Sequence, residues 1–183
     1  VPPRLGKTKL VRYFMAWTMR KYGRTYNNYY TYSDMLVNQT YTNMSNIFKI
    51  PEIAEGLNSA PFKRTKEDLS NNTGGGLYAQ TTFGQVTGFG AGAKDDTRFT
   101  GAIFIDDAHK AQDTLIRIAS ANKAIKSAVL NRKNNHKVPI IVIGQRVSKY
   151  DITNFLMIHF KEWFDNGTAK LLKIPVEING KTI

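Results

Sequence analysis

Three short stretches carry residue types that could act on a phosphate. "RLGKT" places Gly6, Lys7 and Thr8 at the mouth of an apolar-periodic run, "GAIFIDD" ends an apolar run on Asp106 and Asp107, and "PIIVIGQR" ends another on Gln145 and Arg146. In the first, backbone N–H groups of Leu5, Gly6, Lys7 and Thr8 would face an anion at the positive end of a helix dipole. The Lys7 ammonium would reach the β- and γ-phosphates of a nucleotide, and the Thr8 hydroxyl would bind Mg²⁺. The full phosphate-loop pattern asks for glycine where Val1 stands, and Pro2 and Pro3 have no N–H to give, so a basic helix start remains the other reading of this stretch.

At a strand end, successive side chains face opposite sides. One carboxylate of Asp106–Asp107 could therefore hold a metal shell while its neighbour orients and deprotonates an attacking water, the alternative being an acidic turn before the next helix. Gln145 could hydrogen-bond a γ-phosphate or the lytic water and pass hydrolysis on to the following segment, the alternative being a polar loop with a surface arginine. The joint occurrence carries the reading: loop, carboxylate pair and polar sensor stand in the order an ATP-hydrolysing sheet requires.

The elements that must position these residues follow from periodicity and punctuation. "KTKLVRYFMAWTMRKY" predicts a buried helix over 7–22 with Leu10, Val11, Phe14, Trp17 and Met19 on a wide apolar face, closed by Gly23. "YNNYYTY" predicts a strand, and Ser33 with Asp34 caps a second helix running to about Phe48. Residues 51–73 read as a loop-rich excursion with a short helix, the wider excursion extending over 51–100 and containing the short strand "LYAQTTF" and a flexible glycine-rich loop, "GQVTGFGAGAKDD". "GAIFI" and "VPIIVIG" are buried-strand runs; between them Leu115, Ile118, Ile125 and Val129 form a helical stripe; "DITNFLMIHFKEWF" predicts one helix and "AKLLKIPVEI" a last strand. Strands alternating with helices, several apolar on both faces, predict an α/β domain with a mostly parallel sheet covered on both sides. Tyr29, Tyr30 and Trp17 are assigned to core packing rather than to base stacking.

With 183 residues the chain suits one domain with one core. It contains no cysteine, which excludes disulfides and thiolate-bound zinc, and His109, His136 and His159 form no ligand cluster in sequence. No apolar run is long enough to cross a bilayer, so no membrane partner is expected and an intracellular setting fits. A net charge of +12 makes a polyanion the natural partner, against the plainer reading of a solvated basic surface.

The assembled motifs resemble the ATPase domain of the large terminase subunit of tailed bacteriophages, over nearly the whole chain. "VPPRLGKTKLVRYFMAW" is similar to that family's P-P-R-x-G-K-[ST]-x-L-V segment, "YTYSDMLV" to its Y-S-[DE] strand end, and "GQVTGFGAG" to its T-G-F-R-A-G loop. "GAIFIDDAHKAQD" resembles its Walker B strand, and "IIVIGQRVSKYDITNFL" its coupling segment. The chain departs from the family pattern at Gly90, where arginine is usual, at Ala108 and Ala111, where prolines are usual, and at Ser148 and Lys149.

The resemblance implies a P-loop NTPase fold of the ASCE, RecA-like kind over residues 1–183, with the strand that feeds the phosphate loop apparently missing before Val1 and an unpaired gap left in the sheet. It implies ATP and Mg²⁺ as cofactors, held by Arg4, Leu5, Gly6, Lys7 and Thr8, with Thr8 and Asp106 on the metal, Asp107 activating water, and Gln145 and Arg146 coupling hydrolysis to DNA movement. The implied partners are double-stranded DNA, the portal protein, the small terminase subunit and further copies in a homo-oligomeric ring, in the cytoplasm of an infected bacterium. One of Arg4, Arg98, Arg132 and Arg146 would supply charge to the ATP. The family's nuclease domain is not expected in this chain. The competing expectations are a helicase-like P-loop ATPase and an inactive nucleic-acid-binding fragment.

Overall fold

The computed structural model describes residues 6–55, 63–64, 69–71, 74–84, 88–94, 98–173, 177–178 and 181–182. Helix α1 spans Lys7–Tyr22 and closes on Gly23, whose φ of 67° is open to glycine at little cost. Strand β1 (Tyr26–Thr31) follows, then α2 (Asp34–Ile47), whose N-cap Ser33 accepts the Leu36 N–H. After a short α3 (Pro51–Ala54) come β2 (Lys63–Arg64), β3 (Leu69–Ser70), β4 (Gly76–Thr81) and β5 (Ile103–Asp106). Helix α4 (Leu115–Ala124) widens into a π-helical turn over Ile125–Val129, and β6 (Ile140–Ile143), α5 (Ile152–His159), α6 (Lys161–Asp165), β7 (Glu177–Ile178) and β8 (Lys181–Thr182) complete the described elements.

Among the described residues six strands form one sheet in the order β2-β3-β4-β1-β5-β6. Strands β4, β1, β5 and β6 run parallel; β3 is antiparallel to β4, and β2 to β3. The chain is thus α/β with a mostly parallel sheet flanked by helices, as its pattern predicts. The expected gap is absent from the parallel part: Ile103–Asp106 pair directly with Ile140–Ile143, and β6 is the sheet's edge.

The sheet divides the core in two. Alternation sends Tyr29 and Phe104 to one face, against Val11, Met15 and Met19 of α1 and Val37, Tyr41 and Met44 of α2. Tyr30, Ile103 and Ile105 go to the other, against Ile125, Val129 and Ile152. All four residues of β5 are buried, as a strand covered on both faces requires.

Four sequence expectations are corrected here. Leu10 and Trp17 stand 72% and 47% exposed, because α1 turns Val11, Met15, Ala16 and Met19 inward instead, and Trp17 stacks along the helix on Phe14. The stripe on α4 begins at Ile118, with Leu115 exposed. "DITNFLMIHFKEWF" forms two helices, because Phe160 leaves helical geometry at φ −126° and ψ 34°. Among the described residues the final strand is not a member of the main sheet: β7 pairs with β8 in a separate two-stranded ribbon. No helix among the described residues is long and apolar enough to cross a membrane.

Candidate functional site

The carboxyl ends of β5 and β6 and the amino end of α1 meet. Gly6 holds the entry to α1 in the left-handed region at φ 72°, with open space where a Cβ would stand. The first turn of α1 contains no acidic residue and receives no side-chain cap, so the positive end of its dipole favours an anion. From that turn the Lys7 side chain, only 8% exposed, reaches to 3.7 Å from Asp107 Oδ1. Thr8 is half-buried on the same turn.

Asp107 is the one non-glycine residue with positive φ among those described, at 47°. Such a conformation costs energy and is held only where surroundings impose it. Here the Asp107 N–H donates to the Ile143 carbonyl at 2.9 Å, and the Gln145 backbone lies close to the Asp107 carboxylate. The left-handed step breaks strand alternation and turns the side chain toward Lys7 and Gly144, where a Cβ would lie 3.6 Å from Asp107 Oδ1. Burial pushes the Asp107 carboxyl above its ordinary range; the Lys7 charge pulls it back, and neighbouring Asp106 pushes it up again.

Asp106 keeps the strand parity of Phe104 and shares the Tyr29 face of the sheet. It is 1% exposed; its Oδ2 accepts the Tyr29 hydroxyl at 2.7 Å, and its buried Oδ1 has no hydrogen-bond partner among the described residues. A buried carboxylate oxygen without a donor is costly unless a cation completes it. The described residues contain no group of three or more His, Asp or Glu fit to cage a metal. One carboxylate and one hydroxyl suit Mg²⁺, which is bound by few protein ligands and takes the rest from phosphates and water.

A scan against protein-family models finds no match, and no curated protein is significantly similar to the chain.

The segment after β6 is fastened to the same end of the sheet. Arg146 Nε donates to Asp151 Oδ2 at 2.7 Å, and the same oxygen accepts the Val147 and Ser148 N–H groups. Asp151 Oδ1 caps α5 by accepting the Asn154 N–H. His109, buried two residues beyond Asp107, holds Nε2 3.0 Å from Asn122 Oδ1 and 3.1 Å from the Ile152 nitrogen, and Asn122 donates to the Tyr150 carbonyl. Burial holds the His109 ring below its ordinary pKa, against the opposing influence of the Asn122 hydrogen bond.

The geometry thus brings Lys7, Asp106, Asp107 and the Gln145 backbone together, and engages Arg146 with Asp151 at the start of α5. Arg4 and Leu5 lie outside the described residues. The glycine-rich loop, expected to be flexible, is tied down over 88–94: Ala91 exchanges backbone hydrogen bonds with Arg132 and Asn134, and Asn134 and Asn135 donate to Gly92 and Ala93. A Cβ at Gly90 would collide with the Asn134 amide, which accounts for glycine there. Sequence reasoning passed over Tyr29 as a polar contributor, and the usable signal was a strand tyrosine on the parity of Asp106 with a hydroxyl to satisfy.

Asp151 carries the first expectation. Its burial works against ionisation, but hydrogen bonds from Arg146, Asn154 and Ser148 outweigh it and hold the carboxyl below the usual range. Asp151→Ala should cost about 2–3 kcal/mol in urea unfolding at neutral pH, combining a lost helix cap with a broken ion pair. Because the folded pKa is depressed, this contribution is present above the ordinary aspartate pKa and fades as pH falls through the folded value. The difference between the two proteins should shrink in acid.

Proposed function

We propose that the chain is a Mg-ATP-hydrolysing motor domain of the large-terminase kind, a P-loop ATPase that moves double-stranded viral DNA into a procapsid. The observation that carries the reading is the meeting of Lys7, at an uncapped helix start, with Asp107 at a parallel strand's end, beside a buried Asp106 oxygen that lacks a donor. Lys7 would exchange Asp107 for the terminal phosphates of ATP, and the N–H groups of Gly6, Lys7 and Thr8 would hold phosphate oxygens. Magnesium, held by Thr8 and Asp106, would draw charge from the phosphate oxygens as the terminal bond breaks. Asp107 would take a proton from the water that attacks the γ-phosphorus, giving ADP and inorganic phosphate.

Gln145 and Arg146 would carry the change onward. The Gln145 backbone lies beside the Asp107 carboxylate and Arg146 rests on Asp151, so a shift at Asp107 would bear on the start of α5 through two adjoining residues. A basic surface would hold the DNA backbone without reading sequence. Ring assembly, portal and small-subunit contacts and a bacterial-host setting belong to this proposal through the motif resemblance.

The test is titration calorimetry with Mg-ATP, followed by phosphate release with and without double-stranded DNA. Nucleotide binding and DNA-stimulated hydrolysis support the motor; strand separation would favour a helicase-like ATPase. DNA affinity without nucleotide affinity would reduce the chain to an inert nucleic-acid-binding unit.

A further inference from the structure

Tyr29 lies in the middle of β1, 1% exposed, and its single hydroxyl hydrogen is given to Asp106 Oδ2. Thr40 of α2 lies beside that hydroxyl, and Thr40 Oγ1 accepts from the Arg12 guanidinium of α1 at 3.1 Å. Thr40 is fully buried. Arg12, Thr40 and Tyr29, from α1, α2 and β1, thus stand together behind Asp106.

We propose that Tyr29, backed by Thr40 and Arg12, is a positioning residue that occupies one oxygen of the Asp106 carboxylate and so presents the other, Oδ1, to the nucleotide's divalent cation. This deepens the reading above and rests on Asp106 holding that cation. A buried tyrosine needs some acceptor, and a backbone carbonyl would satisfy it. The acceptor here is the twin of the one Asp106 oxygen left without a partner. One hydrogen bond joins β1 to β5 at the metal-facing carboxylate, and another joins α1, the helix that begins with Lys7, to α2 beside it. Outer partners of this kind set the orientation of a metal's own ligands, and their loss weakens metal binding by about 10–100-fold.

The experiment is a Mn²⁺ titration followed by electron paramagnetic resonance, in the presence of a saturating non-hydrolysable ATP analogue. Wild type should bind Mn²⁺ in a nucleotide-dependent way. Tyr29→Phe, which removes only the hydroxyl, should weaken that binding by about 10-fold or more while ADP affinity in EDTA is unchanged. A structural role alone would lower the melting temperature and leave the Mn²⁺ titration where it was, which would overturn the proposal. Should Tyr29→Phe fail to fold, Tyr29→Met, which also lacks the hydroxyl, repeats the test: weaker Mn²⁺ binding with unchanged ADP affinity supports the proposal and unaltered Mn²⁺ binding overturns it. Absence of nucleotide-dependent Mn²⁺ binding in wild type strikes instead at Asp106 as a metal ligand, and takes this proposal down with it.

Discussion

Asp107→Asn should lower ATP turnover by about 10²–10⁴-fold, the range over which a positioned general base contributes, while Mg-ATP affinity is kept or improved. Asparagine preserves the shape and the place beside the Gln145 backbone. What it loses is the capacity to take a proton, and the charge that now draws Lys7 to 3.7 Å. Lys7 would then turn to phosphate with no competitor, so binding and turnover should move apart. Steady-state phosphate release and calorimetry on the same preparation read the two quantities, and turnover at the wild-type rate would remove Asp107 from the chemistry.

The same residue fixes the sign of the pH dependence. Burial raises the Asp107 carboxyl, with Asp106 adding to the effect and Lys7 and Gln145 opposing it. A base works only when deprotonated, so kcat should fall as pH drops through an apparent pKa above the ordinary aspartate value, and the Asp107→Asn residual rate should lack that limb. A wild-type limb at or below the ordinary value would contradict the burial argument.

What the sequence made readable was the local chemistry of the backbone. Gly23 ends α1, Ser33 caps α2 and the buried apolar run 103–106 forms a strand, because each depends on neighbours within a few residues. What it hid depends on which neighbour arrives from afar. Leu10 and Trp17 fit an apolar helical face by spacing, yet α2 and the sheet meet α1 on the Val11–Met15–Met19 side. The loop at 88–94 looked mobile from its glycines alone; the asparagines that fasten it, Asn134 and Asn135, lie more than forty positions away along the chain. The candidate site divides in the same way. Residue types and strand-end positions marked Lys7, Asp106, Asp107 and Gln145, whereas the left-handed turn of Asp107 and the Tyr29 hydroxyl behind Asp106 arise from packing of four elements. Arg146 shows the limit plainly, since nothing in its own segment says whether it serves a phosphate or Asp151 five residues on.

Lys7→Ala should weaken Mg-ATP binding by about 2–5 kcal/mol, roughly thirtyfold and upward, the cost of removing one member of a close and poorly hydrated charge pair. Alanine is the best helix former, so α1 should survive the change even at its first residue. The informative part is a second effect. Lys7 is the strongest influence holding the Asp107 carboxyl down, so its removal should drive the acidic limb of the residual activity to higher pH than in wild type. A double-mutant cycle with Asp107→Asn then separates the two roles of the lysine. Coupling in stability without coupling in nucleotide binding would mean that Lys7 merely neutralises Asp107 at a basic helix start, the plainer reading of "RLGKT". Loss of binding in both single and double mutants, with the pH limb displaced only where Asp107 remains, is the pattern expected of a lysine that leaves its carboxylate for a phosphate.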